Sequence, residues 1–164
     1  MSLAPDSISL VREIIENLRH CEETLSTAES LTGGALSSAI TSVPGASHVF
    51  LGGISAYTRE VKEKFLLVPP SLIDEKNVVS EEVAIAMAQG ALRTFNTTWA
   101  IATTGVAGPG PSGGVGAGTV WVAVAGPVNQ VIELSLEGER EIVRNATVAS
   151  AIATFARILR HRKP

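Results

Sequence analysis

The spacing of apolar residues changes period repeatedly along this chain, and that alternation constrains its fold more than any other feature. From Ile8 to Leu18, apolar Ile8, Leu10, Val11, Ile14, Ile15 and Leu18 recur near helical spacing. Leu25 to Ala28 reads as a short strand, and Gly33 to Thr41 as a small-residue helix stopped by Val43-Pro44-Gly45. His48 to Tyr57 reads as a strand whose Gly52-Gly53 marks a bulge or a close backbone approach. Thr58 can N-cap a short helix to Leu66, closed before Pro69-Pro70, and Ser80-Glu81-Glu82-Val83 opens another helix to about Phe95. Trp99 to Thr103 has a buried-strand pattern and runs into a loop from Thr104 to Gly118. Thr119 to Ala125 and Val128 to Leu136 form a strand pair across Gly126-Pro127, followed by a helix from about Glu139 to Arg160. Helices alternating with strands predict a layered α/β sandwich, and the late strand pair predicts a mixed sheet.

Bulk properties narrow the class. A length of 164 residues suits one domain, taken as 1–164, and a hydrophobic content of 45% supplies a globular core. A net charge of −3 gives no footing for a nucleic-acid reader. The basic tail Arg157, Arg160, His161, Arg162 and Lys163 ends a helix, where cations complement the dipole. The single cysteine, Cys21, excludes an internal disulfide and a cysteine-rich zinc site, and fits a reducing compartment. No secretory signal is evident, and no uninterrupted apolar run approaches the roughly 20 residues of a membrane span. The expectation is a cytoplasmic protein that binds neither nucleic acid nor membrane.

Chemistry concentrates in two loops. Ser30, in Thr27-Ala28-Glu29-Ser30-Leu31-Thr32-Gly33-Gly34, stands between a strand and a helix start. There it can attack a carbonyl, with nearby N–H groups holding an anion, or the loop can simply cap a helix and bind a phosphate. The second loop, Thr104 to Gly114, has almost no bulky side chain, so its backbone can approach a ligand and form an anion nest. It is neither a Walker A loop nor a dinucleotide fingerprint. His20, His48 and His161 are the only histidines, and Asp6 and Asp74 the only aspartates; they make poor triad candidates, and no spacing resembles a metal site. Lys62 is an alternative base for Ser30 if burial strips its ammonium of water, with Tyr57 placed to orient it or stack on a planar substrate. The bland alternative is a solvated lysine at a helix start. Arg140 and Arg144, four apart on one helical face, can grip a phosphate or pair with Glu137 and Glu141.

In order, these segments resemble the CinA C-terminal family: Thr27 to Ser30 with Thr32-Gly33-Gly34, Val43 to Ser47, Tyr57 to Lys62, Val79 to Ala84 with Met87-Ala88, Thr104 to Pro109, Gly118 to Val120, and Gly138 to Arg140 with Val143-Arg144. The resemblance runs from about residue 8 to 160. It implies a three-layer α/β/α sandwich with a mixed, mostly parallel sheet, and a homo-oligomer. Longer members carry an N-terminal molybdopterin-binding-like domain, for which this chain has no room. It also implies the activity of the stand-alone nicotinamide-nucleotide amidases, which convert nicotinamide mononucleotide (NMN) to nicotinate mononucleotide and ammonia in pyridine-nucleotide salvage, with no metal or other cofactor. Carried over by position, Ser30 matches the nucleophile, Lys62 the base and Tyr57 its neighbour. Thr32, Gly33 and Gly34 match the nucleophile loop. Thr104, Gly105, Ala107 and Gly108 match the second ligand loop, and Arg144, with Arg140 second, the arginine region of substrate binding. The chain departs from the family pattern at Gly110 to Gly118, which lacks the usual lysine, at Leu31 in place of a cysteine, and at Arg59 in place of an asparagine. The loop change bears on substrate identity. The rival expectations are a non-catalytic nucleotide-binding or interaction protein on the same fold, and an amidase for another phosphorylated amide.

Overall fold

The computed structural model describes residues 5–162, so Lys163 of the basic tail lies outside the described residues. In chain order the elements are α1 (Pro5–His20), β1 (Leu25–Glu29), α2 (Ala35–Thr41), β2 (Phe50–Ser55), α3 (Arg59–Leu66), α4 (Pro70–Lys76), α5 (Glu81–Phe95), β3 (Trp99–Gly105), β4 (Thr119–Ala125), β5 (Gln130–Ser135) and α6 (Arg140–His161). The five strands form one sheet in the order β2-β1-β3-β4-β5. β1 pairs in parallel with β2 and β3, while β3–β4 and β4–β5 are antiparallel. Only β4 therefore runs against the other four, which is the mixed, mostly parallel sheet expected.

Two apolar layers sandwich it. On one face α1, α2 and α6 pack through Val11, Leu18, Leu36, Ile152 and Phe155 onto Leu25, Trp99, Ile101 and Val122. On the other, α3, α4 and α5 pack through Leu66, Ile73, Val83 and Met87 onto Ala28, Ala100, Ala102 and Ala123. The alanines on this second face let α5 lie close. Close packing extends to Gly90, where an added Cβ would sit 2.1 Å from the Leu66 carbonyl oxygen.

Three local differences from the sequence reading have physical causes. Residues Ala46–His48 form a 3₁₀ turn, so β2 starts at Phe50 rather than His48; the His48 ring nitrogen closes that turn on the Gly45 carbonyl at 3.0 Å. Pro69-Pro70 reads as a helix stop in the sequence, yet helix α4 begins at Pro70. Pro70 instead occupies the first helical turn, where a missing N–H costs nothing. Gly52-Gly53 fulfils both readings. Pairing of β1 with β2 shifts between Leu25 and Ser26, and a Cβ on Gly53 would collide with Thr27 Oγ1 at 2.1 Å.

Helix α6 is, by length and composition, apolar enough to cross a membrane. Val143, Thr147, Ala151, Ile152, Phe155 and Leu159 are buried against the sheet and α1, so its apolar face is core. Its basic end is tied down as well. Arg160 bonds Glu13, and Arg162 bonds Glu23 and lies 5.4 Å from the Trp99 ring centroid.

Candidate active site

Strand order reverses at β1. The chain leaves it for β2 on one side and returns to β3 on the other, so the loops beyond the carboxyl ends of β1 and β3 diverge and leave a crevice. Ser30 follows β1, Tyr57 follows β2, and Thr104 and Gly105 end β3. All four line one cleft of about 250 Å³, together with Leu31, Lys62, Arg59, Val78, Val79, residues 106–112 and Arg140. Among the described residues, no aspartate or glutamate lines it.

Lys62 reaches this cleft because α3 starts where the sequence says it should. Thr58 accepts the Val61 N–H as N-cap, and Lys62 then falls on the face turned to the sheet. Its side chain is 1% exposed. Nζ donates to Ser30 Oγ at 2.9 Å and to the Ala56 carbonyl at 2.7 Å. No carboxylate pairs with it among the described residues. Desolvation, with no opposing charge to offset it, pushes the ammonium from its ordinary 10.5 down to about 8. Ser30 and Lys62 are thus adjacent in space, and the solvated-lysine alternative is excluded.

The far end of the serine loop is held by a residue the sequence reading passed over. Glu29, fully buried, accepts from the N–H groups of Gly34, Leu36 and Ser37 and from Ser37 Oγ, at 2.6–3.0 Å. A carboxylate has about four acceptor sites, and all four are used at the start of α2. The available signal was an acid immediately before the serine and a helix start with no other cap.

The amides of the serine loop divide sharply. Ser30 N–H donates to the Thr103 carbonyl, Gly33 N–H to the Ser30 carbonyl, and Gly34 N–H to Glu29. Gly33 and Gly34 therefore offer no free N–H, contrary to the expectation that they help bind substrate; their positive φ values of 58° and 93° serve the turn. Thr32 is buried, its hydroxyl 2.8 Å from that of Thr103. Leu31 and Thr32 carry the loop amides that have no hydrogen-bond partner among the described residues.

In the second loop, Thr104 donates to the Val78 carbonyl at 2.8 Å, anchoring the cleft floor to the segment before α5. Gly105 is dictated by β4, because a Cβ there would meet the Thr119 carbonyl at 2.7 Å. The amides of Ala107, Gly108 and Gly110 have no partner among the described residues. Arg140 spans the opening, donating to the Gly108 carbonyl at 2.8 Å and to Tyr57 Oη at 2.7 Å. Arg144 is absent from the cleft lining and donates to the carbonyls of Leu31 and Thr32 at 3.0 and 2.9 Å. Arg59, at the rim, is neutralised by Glu63 and Asp74.

Fold and site together define a three-layer α/β/α domain with a buried serine–lysine pair at the switch point of its sheet. The CinA C-terminal domain model matches residues 7–159, and the chain belongs to that family. A CinA-like protein of Synechococcus sp. is 46% identical over 123 residues, covering 74% of this chain and 30% of the relative. Another, from Parasynechococcus marenigrum, is 41% identical over 157 residues, covering 92% and 37%. The chain thus spans about a third of the length of these relatives. Among solved structures, the competence/damage inducible protein CihA from Agrobacterium tumefaciens is 32% identical with a TM-score of 0.90, covering 98% of this chain and 99% of that one. The competence damage-inducible protein A (ComA) from Klebsiella pneumoniae is 29% identical with a TM-score of 0.92, covering 96% and 99%.

Proposed function

We propose that the chain is an amidohydrolase that uses Ser30 and Lys62 to convert NMN to nicotinate mononucleotide and ammonia. The observation that carries this reading is the 2.9 Å contact between Ser30 Oγ and a lysine buried without a carboxylate partner. A lysine so placed reaches its neutral form near pH 8 and can then act as a base.

Neutral Lys62 takes the Ser30 proton as Oγ attacks the carboxamide carbon. The unpaired Leu31 and Thr32 amides are the donors the serine loop leaves for the oxyanion; one such donor is typically worth about 3–4 kcal/mol. Protonated Lys62 hands its proton to the departing ammonia, and water hydrolyses the acyl-serine by the same relay. The substrate's phosphate supports the choice among amides. Among the described residues, Arg140 is a cation without a carboxylate partner at the mouth of an acid-free cleft, beside the unpaired amides of Ala107, Gly108 and Gly110. Remote binding there positions the amide over Ser30. A homo-oligomer belongs to the same reading and is tested by sedimentation.

The test is ammonia release by purified protein from NMN, nicotinamide and NAD. Release from NMN alone, lost in Ser30→Ala with the fold retained, is expected. Undiminished release by Ser30→Ala removes the mechanism, and binding of NMN without release turns the site into a nucleotide-binding one.

A further inference from the structure

Arg144 sits on the wrong side of the serine loop to meet a substrate. Its guanidinium holds the carbonyls of Leu31 and Thr32, and its Nη2 would lie 3.6 Å from a Cβ on Gly33. The cleft side of the same loop is formed by Ser30 and Leu31. A trans peptide points its C=O and N–H in opposite directions. The Leu31 carbonyl belongs to the same peptide unit as the Thr32 N–H, so holding that carbonyl from behind projects the N–H away from the arginine. A cationic donor on the carbonyl also polarises the amide and strengthens its N–H as a donor.

The loop is therefore clamped from two sides. Glu29 takes the amides of Gly34, Leu36 and Ser37, and Arg144 takes the carbonyls of the two residues whose amides remain unpaired. Arg144 has no carboxylate partner among the described residues, although Glu141 lies three positions before it. An arginine's fixed fork of donors suits two adjacent carbonyls; a lysine's point charge does not.

We propose that Arg144 is a positioning residue that sets the oxyanion hole, orienting and polarising the Leu31–Thr32 peptide, and that it does not bind the substrate's phosphate. This rests on acyl transfer at Ser30 as the reaction. It assigns the two arginines of α6 different tasks one turn apart: Arg140 recognises, Arg144 prepares.

The experiment compares Arg144→Met, Arg144→Lys and Arg140→Met with wild type in two assays. In steady-state NMN turnover, Arg144→Met should lower kcat by roughly 10²-fold, the scale of losing one oxyanion donor, with KM nearly unchanged. Arg144→Lys should recover part of that loss, and Arg140→Met should raise KM. The second assay is the labelling rate of Ser30 by an uncharged alkyl fluorophosphonate. In that reaction Oγ bonds to phosphorus, fluoride leaves, and the serine proton passes to Lys62. The probe has no phosphate monoester to recognise, yet its phosphoryl oxygen needs the oxyanion hole. Labelling should slow strongly in Arg144→Met, and far more than in Arg140→Met. A raised KM in Arg144→Met with wild-type labelling overturns the proposal while leaving the amidase reading intact. Rapid Ser30 labelling without NMN turnover in wild type removes the amidase reading and still tests Arg144 through the label. Circular dichroism and melting confirm that each variant is folded. If Arg144→Met does not fold, Arg144→Lys decides: kcat and labelling reduced together support the role, and a change in KM alone refutes it.

Discussion

Lys62→Met should cost catalysis almost everything and stability almost nothing. The structure supplies the magnitude. Lys62 is 1% exposed and its ammonium is pushed from 10.5 to about 8 by desolvation. At about 1.4 kcal/mol per tenfold change in proton affinity, the folded protein carries roughly 3 kcal/mol of penalty for this charge at neutral pH. Methionine has similar length and no charge, so that penalty disappears. Against it stand two lost hydrogen bonds, to Ser30 and Ala56, and leaving the Ala56 carbonyl unpaired costs about 1–3 kcal/mol. The two terms nearly cancel, and the variant should melt within a few degrees of wild type at pH 7. Wild type should also gain stability with rising pH between about 8 and 10.5, where the folded lysine has lost its proton and the unfolded one keeps it. Below that window the full penalty is present in wild type, and above it the penalty is gone. Lys62→Met should lack this rise. Urea unfolding of both proteins at pH 7, 8.5 and 10 measures it, alongside ammonia release from NMN. A loss of several kcal/mol at pH 7, or a pH dependence identical to wild type, refutes the view of Lys62 as a strained, readily neutralised base.

Three further outcomes follow from the same geometry. The kcat/KM for NMN should rise about tenfold per pH unit below about 8 and level off above it, since neutral Lys62 is the working form; a flat profile from pH 6 to 9 would exclude it as the base. Glu29→Gln puts an amide donor among four donors and should destabilise by about 2–4 kcal/mol while cutting kcat, read by melting and turnover. Gly90→Ala, which in an open helix stabilises by about 1 kcal/mol, should here destabilise by about 1–3 kcal/mol because the new methyl overlaps the Leu66 carbonyl; denaturant unfolding gives the sign.

What could be read in advance depended on how local its cause was. Periodicity placed α1, and the caps Thr58 and Ser80 marked the starts of α3 and α5, because caps and amphipathic faces act within a few residues. Pro70 misled because a proline stops a helix from within but starts one from its first turn. Glu29 went unread because an acid before a serine has no distinctive pattern until the next helix turns its amides back onto it. The arginines were legible as a pair and illegible as individuals, since one helical turn separates the cleft mouth from the back of the loop.

By itself, then, the sequence determined a layered α/β domain, a serine at a strand-to-helix turn, a glycine-rich loop after a buried strand, and membership of a family through its ordered motifs. Tertiary structure decided the rest. Ser30 and Lys62 are 32 residues apart in the chain and 2.9 Å apart in space. That contact exists because β1 and β2 are parallel neighbours and α3 turns Lys62 inward onto the sheet. Burial, which turns an ordinary lysine into a base, is a property of everything packed around it. No local stretch of residues encodes it.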